Sequence, residues 1–174
     1  MFFQIVPLAA GLCLIVTQAK PATKVMENFE PEKFIGKWWL IQVTEKIFNS
    51  DEDCAHIVVT KKEGNVYDVV AQFHKIKTNS VRTMHFDITD RPDQPAIYDL
   101  LVNGKRIVTA QILGTDYDNW AVIFIKEGPY MIYTVASRTS RIDPKFQANI
   151  DVIMLDNEAQ VTFEEVNGSC PDTI

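Results

Sequence analysis

The chain has 174 residues, nearly half of them apolar, and a formal net charge of −6 at neutral pH. Surplus acid disfavours nucleic acid and anionic membrane surfaces as partners, because both select basic patches. No apolar run reaches the roughly twenty residues of a spanning helix, and one ordinary domain of this length buries roughly two-thirds of its unfolded surface.

Residues 1–19 carry no charged side chain and contain the apolar run from Ile5 to Val16, ahead of Thr17-Gln18-Ala19 and then Lys20. The run is short for a bilayer and reads as a secretory signal cleaved after Ala19, with a membrane anchor as the rival reading. The predicted domain is then residues 20–174. Cys13 leaves with the signal, and Cys54 and Cys170 remain as an even pair in an oxidising compartment. One disulfide is the simplest inference, against two unpaired thiols. Closing so long a loop contributes on the order of 4–5 kcal/mol before strain. Asn167-Gly168-Ser169 is the one N-x-S/T sequon, so Asn167 is a candidate for a surface glycan.

From Trp38 onward, alternation of period two dominates. Runs over 38–48, 55–62, 65–75, 81–89, 96–103, 106–115, 119–127 and 130–138 are rich in β-branched and aromatic residues. The clusters between them, such as Lys62-Glu63-Gly64-Asn65 and Asn103-Gly104-Lys105, suit tight hairpins. Short links between successive strands predict an all-β chain: an eight-stranded antiparallel up-and-down barrel, rather than a sandwich with its longer crossovers. After the eighth run the period becomes helical. Asp143 is a plausible N-cap, Pro144 suits the first position, and Phe146, Ile150, Ile153 and Met154 recur on one stripe. The helix is expected to pack outside the barrel against Trp120, Val122 and Phe124, and a short strand over 160–164 precedes the Cys170 tail.

Three short stretches carry more than local structure: Gly36-Lys37-Trp38 opening the first strand, Thr115-Asp116-Tyr117-Asp118 after the sixth, and Ser137-Arg138-Thr139 closing the eighth. In this order they resemble the three signatures of the lipocalins, secreted barrels that carry small hydrophobic molecules. The resemblance covers the whole mature chain. It looks closest to the group of apolipoprotein D, the retinol-binding proteins and the insect bilin-binding proteins, but the chain departs from their second disulfide in having no cysteine between 20 and 53. The resemblance implies that Pro31–Ile35 is a helical turn across the barrel base, freed into the first strand by Gly36. It also implies that Trp38 lies across the closed end with Arg138 stacked on it, and that Thr115, Asp116 and Tyr117 form a tight turn there.

The cavity implied by the family would be lined by inward residues, and strand parity assigns them from Trp38 and Arg138. These are Trp38, Leu40 and Gln42 on the first strand, Tyr98, Leu100 and Val102 on the fifth, and Ala110 and Ile112 on the sixth. Ala121, Ile123 and Ile125 follow on the seventh, and Ile132, Thr134 and Ala136 on the eighth. Apolar residues with a few hydroxyls and one amide suit a mostly apolar ligand such as a retinoid, bilin, sterol or fatty acid. A filled core is the alternative reading of the same residues.

His56, His74 and His85 lack metal-ligand spacing, so no metal site is expected; a single one could ligate haem, as in haem-binding members of the family. No catalytic motif is present, and a family isomerase would need a free cysteine that a Cys54–Cys170 bond removes. The expected function is therefore a secreted, extracellular carrier of a small hydrophobic molecule. It is not an enzyme and requires no cofactor. The alternative is an interaction protein gripping a receptor or protease through open-end loops, for which the segment Asp90–Pro95 is long enough to serve as lid or contact.

Overall fold

The computed structural model describes residues 23–45, 51–128, 130–166 and 170; the signal over 1–19 and the sequon at Asn167 lie outside them. Eight strands follow in chain order: β1 (Gly36–Val43), β2 (Glu52–Lys61), β3 (Val66–Lys75), β4 (Ser80–Arg91), β5 (Gln94–Val102), β6 (Lys105–Thr115), β7 (Trp120–Glu127) and β8 (Tyr130–Ser137). Each is antiparallel to its sequence neighbour, and β1 pairs with both β2 and β8, so the sheet closes into a barrel. The expected up-and-down barrel is the observed one. Its hairpins use the turn chemistry read from the sequence: Asn103 and Gly104 sit at φ 52° and 73°, the left-handed pair that a two-residue hairpin demands.

Strand alternation fixes the two ends of the barrel. The turns at 62–65, 92–93 and 116–119 lie at the end where β1 begins, and those at 76–79 and 103–104 lie at the end where β1 finishes. The segment Asp90–Pro95 is therefore no long loop at the mouth. Most of it belongs to β4 and β5, its turn is the dipeptide Pro92-Asp93, and topology puts that turn at the far end. Arg91 pairs with Gln94, so the ladder runs to the residues that flank the turn despite Pro92 and Pro95.

After β8 the chain forms a 3₁₀ turn over Pro144–Phe146 and then α1 (Gln147–Asp156). Asp143 caps as expected, its carboxylate accepting from the Lys145 N–H at 3.0 Å. Ile150 and Met154 are buried against Leu113, Trp120, Val122, Phe124, Tyr133 and Val135 on the outer wall of β6, β7 and β8. Each such side chain contributes about 1.5–3 kcal/mol on full burial. Gly114 makes the close approach possible, because a Cβ there would overlap Ile153 Cδ1. The expected last strand is shorter and later, β9 (Glu164–Glu165), paired to Gln42 and Val43 of β1. Cys54 is bonded to Cys170, with Cα atoms 5.4 Å apart, which sets Cys170 against Trp39 and Ile41 on the outer face of β1.

Candidate functional site

The closed end is built from the three motifs and is structural in character. Phe34, on a 3₁₀ turn over Pro31–Phe34, stacks on Trp38 at 4.7 Å between ring centroids, and its carbonyl accepts the indole N–H at 2.8 Å. On the Trp38 ring lies the Arg138 guanidinium, 3.7 Å from the centroid. Its fork donates to the carbonyls of Tyr117 (2.9 Å), Lys37 (3.0 Å) and Lys33 (3.1 Å), stitching three segments together. Gly36, at φ 107°, leaves room for it: a Cβ would stand 3.1 Å from Arg138 Nη1. Burial pulls the guanidinium below its usual range, and among the described residues no carboxylate is hydrogen-bonded to it. Planar carbonyl recognition and the aromatic face take the place of a counter-ion.

The middle motif closes the β6–β7 turn. Asp116 Oδ1 accepts from the N–H groups of Asn119 (2.8 Å) and Trp120 (3.0 Å), while Thr115 Oγ1 donates to the Trp120 carbonyl at 2.6 Å. Burial alone would raise the Asp116 carboxyl, but these backbone donors overcome it and hold it below the usual carboxylate range. Tyr117, at φ 67°, accepts from the Glu30 N–H at 2.9 Å and so pins the segment that crosses the barrel base.

Above this floor the barrel encloses an apolar cavity of about 360 Å³. Of the inward residues expected from parity, Leu40, Tyr98, Leu100, Ala110, Ile112, Ile123, Ile125, Ile132 and Thr134 line it. Five others do not. Trp38 is fully buried beneath Phe34, which with Pro31 forms the surface facing the cavity. Ala121 and Ala136 oppose each other one pair nearer the closed end than Ile123 and Thr134, and are packed without exposure in the Trp38 cluster. Gln42 leaves the interior because β1 bulges between Leu40 and Gln42. Val43 takes the inward place, and the Gln42 amide donates to Glu165 at 2.6 Å. Val102 ends β5 at the mouth, 42% exposed and outside the lined volume.

The other half of the wall was not assigned from the sequence. Ile57 and Val59 of β2, Tyr67, Val69, Ala71 and Phe73 of β3, and Met84, Phe86 and Ile88 of β4 line the cavity opposite β6–β8. The signal was available: in β3 these four alternate with less buried neighbours throughout. Parity counted from Trp38 and Arg138 does not carry across the turns to β3 and β4, where it has to be read from each strand's own alternation.

Polar groups inside are few. Thr134 is 2% exposed and its Oγ1, on the cavity wall, has no hydrogen-bond partner. Burial pushes the Tyr98 phenol up, which keeps it neutral, and Tyr67 accepts from Lys61 Nζ at 2.8 Å. Near the mouth the buried Glu52 holds Arg82 through a two-pronged pair at 2.6 and 2.8 Å, with the guanidinium 4.2 Å from the Phe73 ring centroid. That cation is already neutralised.

None of the three histidines lines the cavity, which corrects the expectation that one could reach a haem held there. His56 is buried against Trp39 and Gln72, His74 is held by Asp53 and Asn79, and His85 is exposed. Asp53 and His74 do meet Cys54, but its sulfur is committed to Cys170, which removes the thiolate a metal would take.

No family model matches the chain. Mouse (Mus musculus) major urinary protein 20 is 28% identical over 120 residues, 68% of this chain but only 65% of that protein. Among solved structures, insecticyanin from the tobacco hornworm Manduca sexta superposes with a TM-score of 0.71 at 17% identity over 87% of each chain. The tryptamine complex of the amine-binding protein of Rhodnius prolixus does so at 0.61 and 12%, over 86% of each chain. At those identities the structural likeness is one of fold.

Proposed function

We infer, from a chain that is a lipocalin in its fold and its three motifs, that it is a secreted, non-catalytic carrier of a small, neutral, hydrophobic molecule held inside the barrel. The observation that carries this reading is the apolar cavity with a single orphaned hydroxyl, Thr134. A volume of about 360 Å³ falls at the lower end of the range for small-molecule sites. A buried hydroxyl without a partner costs about 1–3 kcal/mol, and a ligand atom bonded to it would recover that cost. Among the described lining residues there is no acidic or basic side chain, and the nearby Arg82 is spent on Glu52. A retinoid- or sterol-like alcohol therefore suits the site better than a fatty acid, a bilin with its carboxylates, or an amine such as the tryptamine of the Rhodnius protein. Secretion is supported by the disulfide and by the charge-free apolar leader, with Asn167 as the glycan site.

The test is calorimetric binding of long-chain or terpenoid alcohols and their hydrocarbon counterparts to the parent and to Thr134→Val. Valine should raise the stability of the empty protein, weaken alcohol binding about tenfold and leave hydrocarbon binding unchanged. Ala110→Phe should abolish both by filling the cavity. Failure of all these ligands to bind at millimolar concentration would end the carrier reading.

A further inference from the structure

Strand pairing carries a complete ion pair into the mouth of an otherwise apolar cavity. Arg82 stands opposite Phe73 in the β3–β4 register and two residues from Met84 on its own strand, and both of those line the cavity. Period-two alternation therefore puts Arg82 on the inner face of β4, at the next inward position toward the mouth. Its guanidinium lies 4.2 Å from the Phe73 ring centroid, and its Nη1 lies against the Met84 sulfur. Its Nε and Nη2 donate to the two oxygens of Glu52 at 2.6 and 2.8 Å.

Glu52 comes from β2, and β3 separates that strand from β4, so the pair reaches across the inside of the wall. The Glu52 side chain has no exposed surface, whereas Arg82 is partly exposed. Two parallel N–H···O bonds are the way a guanidinium recognises a carboxylate from any source. A buried pair is weak evidence for stability, because apolar side chains of the same volume commonly serve as well. Its consequence here falls on the cavity. A guanidinium without Glu52, set beside Phe73 and Met84, would draw a carboxylate whose hydrocarbon chain runs down into the apolar volume.

We propose that the mouth contains a carboxylate-binding subsite, made by Arg82 against Phe73 and Met84, and that Glu52 fills it as a built-in ligand. The cavity then admits neutral amphiphiles and turns away fatty-acid-like anions. An incoming carboxylate must displace Glu52, leaving two anions beside one cation, or enter without a partner, and both are unfavourable. Selectivity of this kind comes from a repulsive group as much as from attractive contacts. The consequence for ligand choice rests on the carrier reading; the subsite itself does not.

The experiment removes Glu52 and supplies carboxylate from solution. Acetate, compared with chloride at equal ionic strength, should raise the melting temperature of Glu52→Ala by about 2–4 °C and leave the parent and Glu52→Ala/Arg82→Gln unmoved. In a second arm, calorimetry compares decanoate with decanol. The parent should prefer the alcohol by at least about tenfold, and Glu52→Ala should gain at least about tenfold for decanoate with decanol unchanged. Glu52→Gln, which keeps the shape and drops the charge, should shift preference the same way, and it serves if circular dichroism shows the alanine variant unfolded. Lys75 lies opposite Glu52 in the register, so the double variant separates Arg82 from positive charge in general. A folded Glu52→Ala indifferent to acetate, a parent that binds both ligands equally, or a decanoate gain that survives loss of Arg82 would overturn the proposal. Acetate rescue in a protein that binds neither decanol nor decanoate would uphold the subsite and end the carrier reading alone.

Discussion

Trp38 and Arg138 show how one pair of side chains can carry a fold without touching its ligand. The indole is fully buried between Phe34 and the guanidinium, and Arg138 donates to carbonyls of three separate segments. Trp38→Ala should cost about 3–5 kcal/mol in urea melts, and a loss below about 1 kcal/mol would mean that the pair does not seal the base. The histidines separate in the opposite sense. Burial pushes His56 down, with only partial relief from its hydrogen bonds, whereas Asn79 and Asp53 raise His74. Around an ordinary value of about 6.5, His74 contributes stability that is full at lower pH and lost as pH rises through its raised value. His56, kept neutral, removes stability as pH falls below about 6.5, because the unfolded chain takes up the proton first. Imidazole titration by NMR should place His56 below and His74 above that value; coincident titrations would contradict the two environments.

At the scale of elements, the helix and the bulges decide what parity cannot. α1 lies on β6 where a Cβ at position 114 would overlap the Ile153 side chain; the Gly114 backbone is not in the left-handed region, so the constraint is steric. Gly114→Val should destabilise by about 1–3 kcal/mol and expose the segment 143–156 to proteolysis, and Ile153→Ala in the same chain should recover part of the loss. A double variant no better than the single one would show that the cost lies in the strand instead. The stripe Ile150–Met154 and its partners Trp120, Val122 and Phe124 were legible because both elements keep their period up to the contact. Gln42 was not, because one extra residue at a bulge reverses every later side chain on the strand.

For the whole molecule, the closed eight-stranded barrel, its external helix, the Cys54–Cys170 bond and the sealed end were all present in the sequence. Each rests on local signals: alternation, turn residues, a capping aspartate, an even pair of cysteines and three short motifs in order. The cavity was legible only in part. Leu40, Ile123 and Thr134 follow from parity, but depth does not, and depth separates Ala121 and Ala136, packed at the base, from residues that face open volume. It also puts Phe34 above Trp38. The turn at Pro92-Asp93 lies at the closed end because strands alternate, a fact about the barrel and not about those residues. The mouth has the same origin: Ile76, Val102 and Ile107 are scattered in the sequence until the strands gather them around one opening. Sequence by itself determined which elements form and how they close, because hydrogen-bonding periodicity and turn geometry are local. Tertiary structure alone decided which surfaces share a volume, because distance across a closed sheet is set by register, bulges and taper summed over all eight strands.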